Sequence, residues 1–168
     1  MKKLAVAVWL VLFSGAVFAD GVKCVKGECQ NGTGTMIFYG DKYENKYTGT
    51  FLNGHPHGHG IIIYKTGEKY EGEWKNGNAD GKGKRTEADG SVIQGEFRNG
   101  ATNGYATMVT AHGYKYEGEF KDDLPNGQGK ITYPDGRIKE GQWKNGHFLG
   151  KENVSTSTTI FEVQQPSQ

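Results

Sequence analysis

The stretch Tyr70–Gly90, YEGEWKNGNADGKGKRTEADG, decides the fold. Its first half alternates. Tyr70, Gly72 and Trp74 fall on one side of an extended chain, and Glu71, Glu73 and Lys75 on the other. That is the pattern of a half-buried strand. Asn76-Gly77 then supplies a tight turn, because glycine takes positive φ without penalty. A second strand is predicted near Gly81–Glu87, and Asp89-Gly90 turns the chain again.

Outward from this stretch the pattern recurs every 23 residues. The opening position holds Tyr47, Tyr70, Ile93, Tyr116 and Lys139. Two residues on stand Gly49, Gly72, Gly95, Gly118 and Gly141, and two further on Phe51, Trp74, Phe97, Phe120 and Trp143. The twelfth position is Gly58, Gly81, Gly104, Gly127 and Gly150. With 27 glycines in 168 residues, two unbroken glycine columns are no compositional accident. Glycine weakens a strand unless a neighbour uses the space. The pattern predicts slots across which a neighbouring Tyr or Trp lies, giving a continuous ribbon of rings on one face.

These residues resemble the MORN repeat (membrane occupation and recognition nexus), Tyr-x-Gly-x-aromatic-x-x-Gly, then Gly-x-Gly, Tyr and Gly. The resemblance covers residues 47–150. Ile93 and Lys139 depart from the opening Tyr, Asp123 from the turn glycine and Ala106 from the fourteenth-position glycine. Glu87 and Thr110 stand where Tyr64 and Tyr133 keep a second aromatic. The expected fold is all-β: an elongated, single-layer antiparallel meander of 23-residue hairpins. Each unit buries its face against its neighbours. Ten repeat strands make a body roughly 50 Å long.

The flanks read differently. MKKLAVAVWLVLFSGAVFA has a basic head (Lys2, Lys3), an apolar run and Val17-Phe18-Ala19 as a cleavage site, so residues 1–19 are expected to be a secretory signal peptide cut after Ala19. An uncleaved anchor is the alternative, but the run is short for a span. The short MKK head resembles a bacterial leader, so periplasm or secretion is expected. Residues 20–46 form an atypical first unit capping the array, with an insertion within Tyr39–Lys46. Cys24 and Cys29, close together in an exported chain, are expected to pair, with free thiols or half of a metal site as alternatives. The bond would close an edge that otherwise invites strand pairing. Residues 151–168 supply a capping strand at Val154–Val163 and a frayed tail, and this strand is what the sequence offers to cover Trp143.

Chemistry is sparse. The net charge of +1 becomes −1 when Lys2 and Lys3 leave with the signal, which gives no reason to seek nucleic acid. There is no nucleophile elbow, Walker loop or zinc-protease motif, and the Gly-x-Gly pairs do not open helices. No catalytic residue and no cofactor is therefore expected. His55, His57 and His59 are weak candidates for a metal, because alternate residues of a strand point one way. Against this, Pro56 and Gly58 interrupt the strand. The ring residues Tyr47, Phe51, Tyr70, Trp74, Phe97, Tyr116, Phe120 and Trp143 form the candidate binding surface, with burial by neighbouring strands as the plainer reading. The resemblance implies a non-enzymatic binding or scaffold module, with a protein partner or self-association. A phospholipid-binding role at a membrane, through lysines such as Lys75, Lys121 and Lys144, is the alternative. MORN units also accompany lipid kinases and histone methyltransferases, but the repeats leave no room here for either catalytic domain.

Overall fold

The computed structural model describes residues 17–18, 21–39 and 44–150. The expected signal peptide, apart from residues 17–18, and the expected capping strand Val154–Val163 lie outside the described residues. Among the described residues thirteen strands form one antiparallel sheet in chain order, so each of them pairs with its sequence neighbours. They are β1 (Val17–Phe18), β2 (Val22–Gly27), β3 (Gly32–Tyr39), β4 (Glu44–Leu52), β5 (His55–Ile63), β6 (Lys69–Lys75) and β7 (Asn78–Thr86). β8 (Val92–Arg98), β9 (Ala101–Val109), β10 (Lys115–Lys121), β11 (Leu124–Thr132), β12 (Ile138–Lys144) and β13 (His147–Gly150) complete it.

The second strand of each hairpin starts directly after the turn, as at Asn78, and not near Gly81 as the sequence implied. The reason is a bulge. The register slips between Gly49 and Phe51, Gly72 and Trp74, Gly95 and Phe97, and Gly118 and Phe120. The extra residues fall on the second strand, around the twelfth-position glycine. That glycine takes positive φ: +66° at Gly58, +113° at Gly81, +107° at Gly104 and +114° at Gly127. The column is glycine because the bulge needs a left-handed residue there.

The turns follow the same logic. Asn76 at φ 50° and Gly77 at 83° make a hairpin turn with two positive φ values, the geometry that suits the strands' twist. At the fourth repeat Asp122 and Asp123 adopt it without glycine. Each turn also bonds to the repeat before it: Gly77 N–H donates to the Pro56 carbonyl at 2.9 Å, and Gly100 N–H to the Ala79 carbonyl at 2.9 Å. Successive repeats are therefore locked along this edge as well as through the strand ladder.

One face of the sheet carries the core. The innermost row pairs Gly34, Gly49, Gly60, Gly72, Gly83, Gly95, Ala106, Gly118, Gly129 and Gly141 across successive strands. Rings flank this row on both sides. At the N-terminal end Cys24 and Cys29 are disulfide-bonded, with Cα atoms 6.0 Å apart. Cys29 is buried against Gly34, so the bridge fills the first slot of the row with sulfur in place of a ring.

Candidate functional site

The eight ring residues named from the sequence are brought together, and all are in the core. Exposure runs from 0% at Tyr47 to 8% at Trp143. Tyr47 meets Phe51 and Trp74 edge-to-face with centroids 5.0 and 5.1 Å apart, and Tyr70 meets Trp74 and Phe97 at 5.2 and 4.9 Å. Tyr116 meets Phe120 and Trp143 at 5.1 and 5.2 Å. This is the favoured geometry for aromatic pairs, in which a positive edge points at a negative face.

Each tyrosine lies across the glycine of its own hairpin. A Cβ at Gly60, Gly83 or Gly129 would overlap the ring of Tyr47, Tyr70 or Tyr116. The buried hydroxyls keep a partner. Tyr47 donates to the Thr50 carbonyl at 3.0 Å, Tyr70 to Glu73 at 3.1 Å and Tyr116 to Glu119 at 3.3 Å. Burial pushes all three hydroxyls up to about 12. Trp74 and Trp143 donate Nε1–H to the glycine carbonyl of the preceding strand, Gly60 and Gly129 respectively, both at 3.0 Å. Phe148 covers Trp143 with centroids 5.2 Å apart.

The pattern lapses at the middle of the array, and the lapses are coupled. Where Ile93 replaces tyrosine, Ala106 replaces glycine, because no ring needs the slot. Arg85 stands where Ile62, Met108 and Ile131 occupy the other second strands, and Asp123 replaces the turn glycine two hairpins later. These two meet: Arg85 Nη2 lies 2.9 Å from Asp123 Oδ1, and Arg85 Nε lies 2.7 Å from Glu87 Oε1. The guanidinium passes 5.7 Å from the centroid of Phe97. Thr102 N–H also donates to Asp123 at 2.8 Å. Burial raises the Asp123 carboxyl, but the Thr102 amide and the Arg85 charge outweigh it and hold it below its ordinary value. Beside this pair a shallow groove opens on the aromatic face, lined by Tyr64, Glu68, Trp74, Arg85 and Glu87 among others. Sequence reading missed it, because Arg85 and Asp123 are 38 residues apart. The only signal was that Glu87, Ile93, Ala106 and Asp123 all broke the pattern in neighbouring repeats.

The three histidines do not converge. His55 pairs with Leu52 at the turn, and His59 sits opposite Glu73 on the charged face. His57 lies between them in the bulge. Its column has another job: Asp80 and Asn103 there accept the turn N–H groups of Asn99 and Asp122. Among the described residues no three His, Cys, Asp or Glu side chains gather closely enough to hold a metal ion.

A single sheet of recurring hairpins, each packed chiefly against its neighbours, defines an elongated all-β repeat protein. The sequence profile of the MORN repeat matches residues 47–69, 70–92, 94–111, 116–136 and 140–151, more than half of the chain. The chain belongs to the MORN-repeat family. MORN repeats are binding modules for protein, membrane or lipid partners, and the repeat is not an enzyme class. The Cys24–Cys29 bridge fits an oxidising, extracytoplasmic setting.

Proposed function

We propose that this chain is a non-enzymatic binding scaffold of the cell envelope, taking a protein or peptide partner along the aromatic face of its sheet. The groove beside Arg85 is the observation that carries this reading. There the half-buried ring of Tyr64 stands beside the buried Trp74, with polar groups at Glu68, Arg85 and Glu87. Aromatic anchors beside arginine are the chemistry on which protein interfaces concentrate their energy. The signal-like head and the disulfide support a periplasmic or secreted location, with residues 20–46 as cap and residues 151–168 as closing segment.

The test is capture from envelope extract on immobilised mature chain, with Arg85→Ala and Glu87→Ala variants in parallel. A partner retained by the wild type and lost by both variants is expected. Capture of nothing, or equal capture by variants that keep the wild-type melting temperature, overturns the groove reading. Phospholipid binding is the competing reading, and co-sedimentation with anionic vesicles without any protein partner would favour it.

A further inference from the structure

One repeat loses most of its charge on the face opposite the rings. There β6 carries Lys69 and Glu71, β7 Lys82 and Lys84, and β10 Lys115 and Glu117. The equivalent positions on β8 and β9 hold Val92, Gln94, Tyr105 and Thr107, and Val109 follows. These residues are neighbours in the sheet, since Val92 pairs with Val109 and Gln94 with Thr107. Tyr105 is 62% exposed and Val109 41%. An uncharged patch with exposed apolar side chains, set inside a charged face, has the character of a contact surface.

The register decides what fits it. Three rows of side chains cross the central strands β7 to β10. The first reads Thr86, Val92, Val109, Lys115, and the second Lys84, Gln94, Thr107, Glu117. The third reads Lys82, Glu96, Tyr105, Glu119. Lys82, Lys84 and Lys115 balance Glu96, Glu117 and Glu119, so any fit lies in the order of the charges and not in a net charge.

Sheets stacked face to face keep their strands roughly aligned. A two-fold axis parallel to the strands, between β8 and β9, lays β7 over the partner's β10 and β8 over the partner's β9. Lys84 then meets the partner's Glu117, and Lys82 the partner's Glu119. Between them Val92 meets the partner's Val109, and Glu96 the partner's Tyr105. Every contact occurs twice, as a two-fold interface requires, and no like charges meet in the three rows. Glu117 stays bonded to Lys115 at 2.8 Å and to Lys130 at 3.3 Å within its own chain, and Lys84 reaches it from the other copy. An axis running across the strands instead sets Lys84 against the partner's Lys84 and Glu117 against the partner's Glu117, which repels.

We propose that the outer face of β7–β10 is a self-docking surface, on which a second copy of this chain packs about a two-fold axis parallel to the strands. The surface lies on the other side of the sheet from the groove and does not rest on that reading. Twist carries the outer strands of two stacked sheets away from each other, so contact is confined to these four strands. At about 4.8 Å per strand and about 6.8 Å per row the patch covers about 400 Å² per copy, half of the about 800 Å² of a standard stable interface. The pair is therefore weak and concentration-dependent.

Sedimentation velocity of the mature chain, in a concentration series reaching the millimolar range, should show a monomer–dimer equilibrium. Val109→Glu, Lys84→Glu and Glu117→Lys should each weaken it at least about tenfold, with the fold retained by circular dichroism. Mixing the Lys84→Glu and Glu117→Lys chains should restore association, because in the mixed pair each new charge meets its opposite. Neither chain with its own copy offers that match. A wild type that stays monomeric at every concentration overturns the proposal. So does a mixture no more associated than its folded components. Should Glu117→Lys not fold, the other two variants decide, and wild-type association by either one overturns the proposal.

Discussion

Changing Ile93 to Tyr and Ala106 to Gly, singly and together, tests whether ring and slot are one unit. Ile93 is 6% exposed and Ala106 1% exposed, so both sit in packed core. At the three tyrosine-bearing hairpins a Cβ in the slot would fall closer than 3.0 Å to ring atoms, a separation that real Cβ atoms do not show. Ile93→Tyr alone therefore drives a ring against the Ala106 methyl, and overpacking of this kind costs about 1–3 kcal/mol. Ala106→Gly alone removes a buried methyl, about 0.8 kcal/mol. The added backbone freedom of a strand glycine costs about 0.5–1 kcal/mol more. If the two changes were independent, the double variant would lose about 2.3–4.8 kcal/mol, the sum of these ranges. With the slot open, the new tyrosine can lie down as Tyr70 does and donate to the Glu96 carbonyl. The double variant is then expected within about 1 kcal/mol of wild type, a coupling of at least about 1.3 kcal/mol. Urea unfolding of the four proteins, with unchanged m-values, measures it. Additivity within about 0.5 kcal/mol would refute the reasoning, as would an Ile93→Tyr single variant more stable than wild type.

Three further outcomes follow from the same geometry. Trp74→Ala and Trp143→Ala should each cost about 3–5 kcal/mol by thermal or urea unfolding, because each indole is flanked by two rings and bonded to a glycine carbonyl. A Trp143→Ala variant with an unchanged melting temperature would mean that Phe148 does not cover the ring. The pH dependence has a definite sign. Tyr47, Tyr70 and Tyr116 are raised to about 12 from 10.0, so the unfolded chain loses these protons first. Their contribution is complete below pH 10 and is lost as pH rises towards 12, and Tyr70→Phe should make that fall in stability shallower. Mass spectrometry of exported protein should find Cys24 bonded to Cys29, and Cys24→Ser should cost about 2 kcal/mol or less, since the closed loop is short.

Much of this was legible in the sequence, because the fold repeats one local solution. Alternation gave the strands, Asn-Gly the turns and the spacing of aromatic and glycine columns the ring-and-slot face. The twelfth-position glycines were visible as a column, but their cause was not. A bulge appears only when two strands are paired and their lengths differ. The aromatic ribbon was legible as a stripe but not as a surface, since burial depends on rings from adjacent repeats closing over one another. Arg85 and Asp123 each looked like a local departure, and only folding across two hairpins makes them partners. Likewise Phe148 lies after the last full unit, where the pattern no longer predicted a role.

The proposed binding site is the groove at Tyr64, Arg85 and Glu87, over an otherwise ring-packed face. Hydrogen exchange of the mature chain with and without the captured protein tests this most directly. Slowed exchange at residues 64–68, 77–79 and 85–87, with the remaining repeats unchanged, is the predicted result. Protection spread evenly along all five repeats, or absent from the groove while the partner is bound, would contradict it.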